Sequence, residues 1–154
     1  MKLKKSKYNI FVEAVCLVLL VGIVLYLFVN WNTIPDKIPG HYNAAGETDR
    51  VGDKVELVML PIVSWLMYIG FTIIDHFPQI WNTGVTVTDE NRERVYRIAK
   101  NMLSTVKLIM VVNFVYLAFN SSKATPLPVW FLPVFLGGIF GSLIFFTVKL
   151  VKAR

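Results

Sequence analysis

One cysteine, Cys16, stands in 154 residues, and it lies inside an apolar run. A lone thiol makes no intrachain disulfide and no cysteine metal cluster, so disulfide scaffolds and zinc fingers drop out. Among apolar neighbours it reads as a small hydrophobic side chain. Histidine is as scarce, with His41 and His76 alone. The chain has no H-E-x-x-H pattern and no EF-hand order of acids. It also lacks a polar stretch long enough for a soluble domain. Hydrophobic residues make up 55% of it and mean hydropathy is +0.57, too apolar for an ordinary soluble domain.

What is present is long apolar runs. A spanning helix needs roughly 20 mostly apolar residues. Four segments qualify: residues 10–29, 57–74, 102–119 and 129–148. The first follows a basic start, as a signal peptide would. It is long for a signal, however, and Val29-Asn30-Trp31-Asn32 lacks the small-residue cleavage pattern, so an uncleaved helix is expected.

The net charge of +6 would suit a nucleic-acid binder, but its distribution argues otherwise. Basic residues cluster at the ends of apolar runs: Lys2, Lys4, Lys5 and Lys7; Arg92, Arg94, Arg97 and Lys100; Lys149, Lys152 and Arg154. Membrane proteins use positive charge in this way, to set topology and to meet anionic headgroups. With the N-terminus inside, these eleven face the cytoplasm, against four on the outer side: Lys37, Arg50, Lys54 and Lys123. The expectation is therefore an all-α polytopic membrane protein, one domain of four helices with both termini cytoplasmic. An ordered extracellular loop covers residues 31–55 and an inner loop residues 77–100. Trp31, Trp81 and Trp130 fit interfacial anchoring. In the inner loop, Thr88 before Asp89 and Glu90 reads as an N-cap with acids in the first turn. Val95, Ile98, Ala99 and Met102 then recur at helical spacing. An amphipathic lead-in to the third span is expected, its apolar face an interfacial anchor.

Charges inside spans are costly and default to functional candidates. Glu13 and Lys107 both lie in the inner half of the bilayer, and Asp75 and His76 close the second span on the same side. They suit a structural ion pair, separate snorkelling of Glu13 and Lys107 to the interface, or a proton or ion relay. Pro61 and Pro133 lie near outer helix ends, where a first turn accepts proline. Gly137 and Gly141 form a G-x-x-x-G step that seats a neighbouring helix of the same chain or a second copy.

The outer loop is rich in proline and glycine. Pro35 and Pro39 favour extended backbone before them, and Asn43-Ala44-Ala45-Gly46 reads as a turn. Gly40, Gly46 and Gly52 permit backbone turns. His41, Asp49 and Asp36 are of metal-ligating type, but their spacing matches no known metal loop, and no metal or cofactor is expected. Thr33 and Thr48 are the hydroxyls available to a hydrolase, without triad context.

The string Ile34-Pro35-Asp36-x-Ile38-Pro39-x-His41-x-Asn43-x-x-Gly46-x-x-Asp49, bracketed by two spans and followed by Lys54 and Pro61, resembles a known signature. It is that of the family called domain of unknown function 1648, which includes the N-terminal part of SdpI-type bacterial immunity proteins. The likeness is close over residues 24–61, and Asn91-Arg92-x-x-x-Tyr96-Arg97-x-x-x-Asn101-Met102-Leu103 before Lys107 is similar to the third-span region of these proteins. The resemblance implies a multi-pass protein of the bacterial cytoplasmic membrane. It also implies a functional face at Pro35, Asp36, Pro39, His41, Asn43, Gly46 and Asp49. Some relatives protect the cell from a secreted toxin peptide, and some sequester a regulator. The chain is shorter than SdpI-type proteins and shows no counterpart of their C-terminal half.

The leading expectation is a non-catalytic membrane binding protein of immunity or receptor type. Its partners would be the lipid bilayer and a toxin peptide, a regulator, another membrane protein or a second copy, with no nucleic acid. Two alternatives stand beside it: a transport or ion-coupling subunit using Glu13 and Lys107, and a metal-dependent outer-face enzyme centred on His41.

Overall fold

The computed structural model describes residues 3–154. Lys2 of the first basic cluster lies outside them. Four helices carry the chain: α1 (Lys7–Asn30), α2 (Met59–His76), α3 (Arg92–Ser122) and α4 (Phe131–Lys152). All four belong to segments long and apolar enough to cross a membrane. Residues 10–29 and 102–119 lie inside α1 and α3, while α2 and α4 begin two residues later than expected. In lipid a spanning backbone must satisfy its own hydrogen bonds, and a helix does so within one segment. Many apolar side chains, such as Phe28 and Ile144, accordingly face outward.

The helical class expected from the sequence holds, and the ordered loop between the first two spans adds one element to it. Between α1 and α2 lie two antiparallel strands, β1 (Lys37–Tyr42) and β2 (Thr48–Asp53). The residues before Pro35 and Pro39 cannot readily turn helical, and the Asn43–Gly46 turn reverses the chain, so two extended arms meet. Proline offers no N–H to a ladder, and the register is irregular just after Pro39.

At the other end of the bundle, α3 runs without a break from the basic stretch into the third apolar run. Its N-cap is Asn91 rather than Thr88. Thr88 acts one turn earlier: its amide donates to Asn91 Oδ1 at 2.8 Å and its hydroxyl accepts from the Asn91 amide at 3.3 Å. The lead-in's apolar face is not an interfacial anchor. Val95 and Ala99 are buried against Leu150 and Ala153, with Trp81, Val85 and Val87 packed around them. The inner loop folds back over this face and α4 ends on it, so the chain covers it itself.

α3 is the hub. α1, α2 and α4 each pack on it, whereas α2 and α4 flank it without packing on each other. Two further clusters fill the bundle. Val12, Cys16, Leu20, Tyr68 and Val111 form the middle, and Ile23, Leu27, Ile34, Ile38, Leu57 and Ala118 join the hairpin to the helix ends. Pro61 and Pro133 each stand third in their helix, inside the first turn. The glycine step in α4 needs a correction. A Cβ at Gly138 would lie 3.8 Å from Ile109 of α3, while one at Gly137 or Gly141 would meet nothing within 4 Å, so those two seat no helix of this chain.

Candidate functional site: the cleft beneath the hairpin

The hairpin is held to the helix ends by its tip. Asn43 Oδ1 accepts from the amides of Ala45 (2.9 Å) and Glu47 (3.0 Å), which closes the turn. Gly46 then adopts φ +85°, a left-handed conformation that glycine adopts without a steric penalty. Its carbonyl accepts from the Leu127 amide at 2.8 Å, and a Cβ at this position would stand 2.5 Å from the Leu127 oxygen. Next to it, the Tyr42 hydroxyl bonds Ser121 Oγ and the Thr125 carbonyl, both at 3.1 Å. Asn120 Nδ2 donates to the same hydroxyl at 3.2 Å. The hairpin is thus bolted to the α3–α4 link.

Gly40 and Gly52 do not serve as turns. Both lie in the strands, where a Cβ would meet the Arg50 guanidinium and the Glu56 carboxylate respectively, each at 2.6 Å. The two glycines form a floor on which an Arg50–Glu56 ion pair of 2.7 Å lies flat. Arg50 also donates to the Gly40 carbonyl at 2.7 Å. The hydrogen bond from Arg50 holds the Glu56 carboxyl below its usual range, and Glu56 in turn raises Arg50. At the base of the hairpin the Asp53 hydrogen bond raises Lys37.

His41 Nδ1 stands 2.6 Å from Asp49 Oδ1 on the exposed surface. Asp36 does not join them. It pairs with Lys54 at 3.0 Å at the other end of the strands, where Lys54 also lies over the Trp31 ring. Among the described residues no group of three or more His, Cys, Asp or Glu could hold a metal ion. Pro35 is exposed ahead of β1, while Pro39 is buried and lines the space below the strands.

That space is a cleft of about 600 Å³. The hairpin roofs it, with Gly40, His41, Asn43, Arg50 and Gly46 on its rim. Leu57 and Leu60 form one wall and Phe131, Leu132 and Phe135 the other. Its floor is one face of α3: Asn113, Leu117 and Ser121, spaced four apart. A groove of about 800 Å³ between α1 and α2 is larger but has Asn32 as its one polar-class lining residue, so it reads as a lipid-facing surface. Apolar walls with a few convergent polar groups mark a ligand site, and of these two spaces the cleft combines them.

The charged residues in the spans form a second constellation near the other end. Lys107 Nζ lies 2.9 Å from Glu13 Oε2 and 3.4 Å from Thr72 Oγ1. The Tyr68 hydroxyl donates to Glu13 Oε1. Asp75 is not part of this group: it pairs with Lys100 at 2.6 Å, both largely buried. His76 bonds the Thr72 carbonyl of its own helix and is exposed, so of the four expected relay residues Glu13 and Lys107 pair with each other, Asp75 pairs outside the set and His76 stands apart.

Tyr68 and the buried role of Lys100 escaped the reading of the sequence, although the signal was there. Ser64, Tyr68, Thr72 and Asp75 recur at helical spacing along α2, and Lys100, Ser104 and Lys107 along α3. Two polar stripes in apolar helices imply each other. The Arg50–Glu56 pair carried no comparable signal, since it depends on contacts made in space, whereas Asn113 is visible as an amide within the third apolar run.

Together these features define a class: a chain of four helices able to span a membrane, capped by a clamped β-hairpin over a cleft. Residues 18–64, from α1 through the hairpin into α2, match the model of the family described as Domain of unknown function (DUF1648). The resemblance read from the hairpin residues holds for this segment. The chain is also similar to an uncharacterized protein of Archaeoglobus fulgidus, 25% identical over 143 residues, covering 82% of this chain and 78% of the relative. No solved structure matches.

Proposed function

We propose that this chain is a non-catalytic integral membrane binding protein whose ligand site is the cleft beneath the hairpin. One observation carries the reading: the cleft is the place where apolar walls, the Arg50–Glu56 pair and the polar rim of His41 and Asn43 converge. The residues that carry the resemblance support it by their placement. Asn43 and Gly46 build and dock the hairpin tip, Pro39 lines the cleft, and His41 at its rim pairs with Asp49. In this reading both termini face the cytoplasm and the hairpin faces outward. The basic clusters at the other end of the bundle support that orientation. The biological role is self-protection against a membrane-active peptide, or a receptor role of the same type.

The test is a host cell expressing the chain and challenged with secreted membrane-active peptides. Protection by the wild type, lost in His41→Ala with Asp49→Ala while the protein still accumulates in the membrane, is the expected result. Protection that survives changes at several hairpin residues contradicts the reading.

A second reading has its own observation. Glu13, Lys107, Tyr68 and Thr72 form a connected polar cluster at membrane depth, which also suits an ion-coupling subunit. It requires ion flux in liposomes that Glu13→Gln abolishes. Liposomes that show no flux across several ion gradients dispose of it.

A further inference from the structure

We infer that the cleft takes its ligand sideways from the bilayer, between α2 and α4, and that the ligand is a membrane-inserted peptide segment whose backbone pairs with Asn113. This rests on the cleft being the ligand site. Three observations lead to it.

The first is the shape. α2 and α4 both pack on α3 but not on each other, and the cleft lies between them, with Leu60 on one side, Phe131, Leu132 and Phe135 on the other, and no residue of α1 closing it. Its roof is fixed, because the Gly46 carbonyl and the Leu127 amide clamp the hairpin tip to the α3–α4 link. A ligand therefore arrives through the gap between the helices.

The second is Asn113. Its amide oxygen is buried and has no hydrogen-bond partner, although it belongs to a residue lining an apolar cleft in the middle of a spanning helix. An amide left unpaired in a low-dielectric setting is destabilising. A carboxamide offers both a donor and an acceptor. A backbone peptide unit presents the complementary pair once the side chain turns its oxygen, closed off as it stands, into the cleft. An acyl chain presents neither and would leave Asn113 as it is.

The third is the roof. Arg50 is already engaged by Glu56 and by the Gly40 carbonyl, so the site presents a balanced ion pair and not a free cation for a lipid phosphate. A peptide's mixed polar flank matches that balance better than an anionic headgroup does.

The experiment uses the full chain in phosphatidylcholine nanodiscs with a dye-labelled, leucine-rich peptide and its backbone N-methylated counterpart. Methylation removes the N–H donors and keeps the side chains. The wild type is expected to bind the methylated peptide about fivefold to tenfold more weakly, the worth of one hydrogen bond. Asn113→Leu should bind both alike. Leu117→Trp, which fills the cleft, should bind neither, with Leu117→Phe as the milder variant if the first does not fold. The ligand-free Asn113→Leu protein should also unfold at a higher temperature than the wild type, since it buries no unpaired amide. Equal binding of the two peptides by the wild type, with Leu117→Trp still blocking both, overturns the pairing with Asn113 and leaves the cleft as a binding site. Binding that ignores Leu117→Trp removes the cleft itself. A dye-labelled phospholipid that occupies the cleft while neither peptide binds overturns the peptide assignment. So does a complete lack of peptide binding, or a lower unfolding temperature for Asn113→Leu.

Discussion

Lys107 Nζ lies 2.9 Å from Glu13 Oε2, and this contact ties α3 to α1 inside the apolar part of the bundle. Neither charge is tolerable there alone. Removing one partner of a buried pair leaves the other uncompensated, which costs about 3–5 kcal/mol, whereas replacing both is often near neutral. Glu13 keeps some exposure, and Lys5 stands 3.9 Å away, so Lys107→Met should be the milder single change. Thermal unfolding in detergent is expected to rank the variants with both singles well below the wild type and Glu13→Gln with Lys107→Met recovering much of the loss. A double variant as unstable as the sum of the singles would show that the two residues act independently.

Gly46 should not accept a side chain. Its φ of +85° and the Leu127 oxygen 2.5 Å from a would-be Cβ act together. Gly46→Ala is expected to cost about 1–3 kcal/mol of hairpin docking. Faster amide hydrogen exchange at Tyr42 and Leu127, with α1 and α3 unchanged, is the signature.

The Arg50–Glu56 pair makes the hairpin sensitive to acid. Glu56 has its carboxyl lowered from 4.5 by the hydrogen bond from Arg50. A group lowered on folding contributes stability that is present above its ordinary value and lost as pH falls through the lowered one. Hairpin amides should therefore lose protection, relative to the free-chain exchange rate at the same pH, as pH drops below about 4.5. Glu56→Gln should be less protected at neutral pH and should respond less to acid. At the alkaline side Lys37, raised by Asp53, contributes below 10.5 and is lost as pH rises through its higher value.

Orientation has a direct check. The native thiol, Cys16, is buried, so a new cysteine can be labelled selectively. Glu47→Cys at the hairpin tip should react with a membrane-impermeant maleimide added to whole cells, and Arg94→Cys should react only after the cells are opened. The reverse pattern inverts the topology.

The architecture was legible where the sequence carries long-period signals. Four apolar runs and three basic clusters sufficed for the helices, because lipid leaves a spanning backbone few alternatives. The Glu13–Lys107 contact was legible too, since two charges at one depth need each other. What eluded the sequence depends on contacts across it. In the sequence the strands look like a shaped loop, with glycines that permit turns, yet Gly40 and Gly52 serve to seat Arg50 and Glu56. Asp75 lies on the same side of the membrane as Glu13 in the sequence, but its partner is Lys100, one heptad from Lys107 on α3. The apolar face of the lead-in looked like a membrane anchor because nothing in the local pattern reveals that α4 ends against it.

The most direct test places a photoreactive benzoyl-phenylalanine at Phe135, on the cleft wall, and at Phe140, on the exposed face of α4. Cells carrying either protein are illuminated with a membrane-active peptide against which the chain protects. Cross-linking of the peptide at position 135 and not at 140 is the result expected of a protein that binds its ligand in the cleft. Equal cross-linking at both positions, or protection without any cross-link at 135, would contradict it.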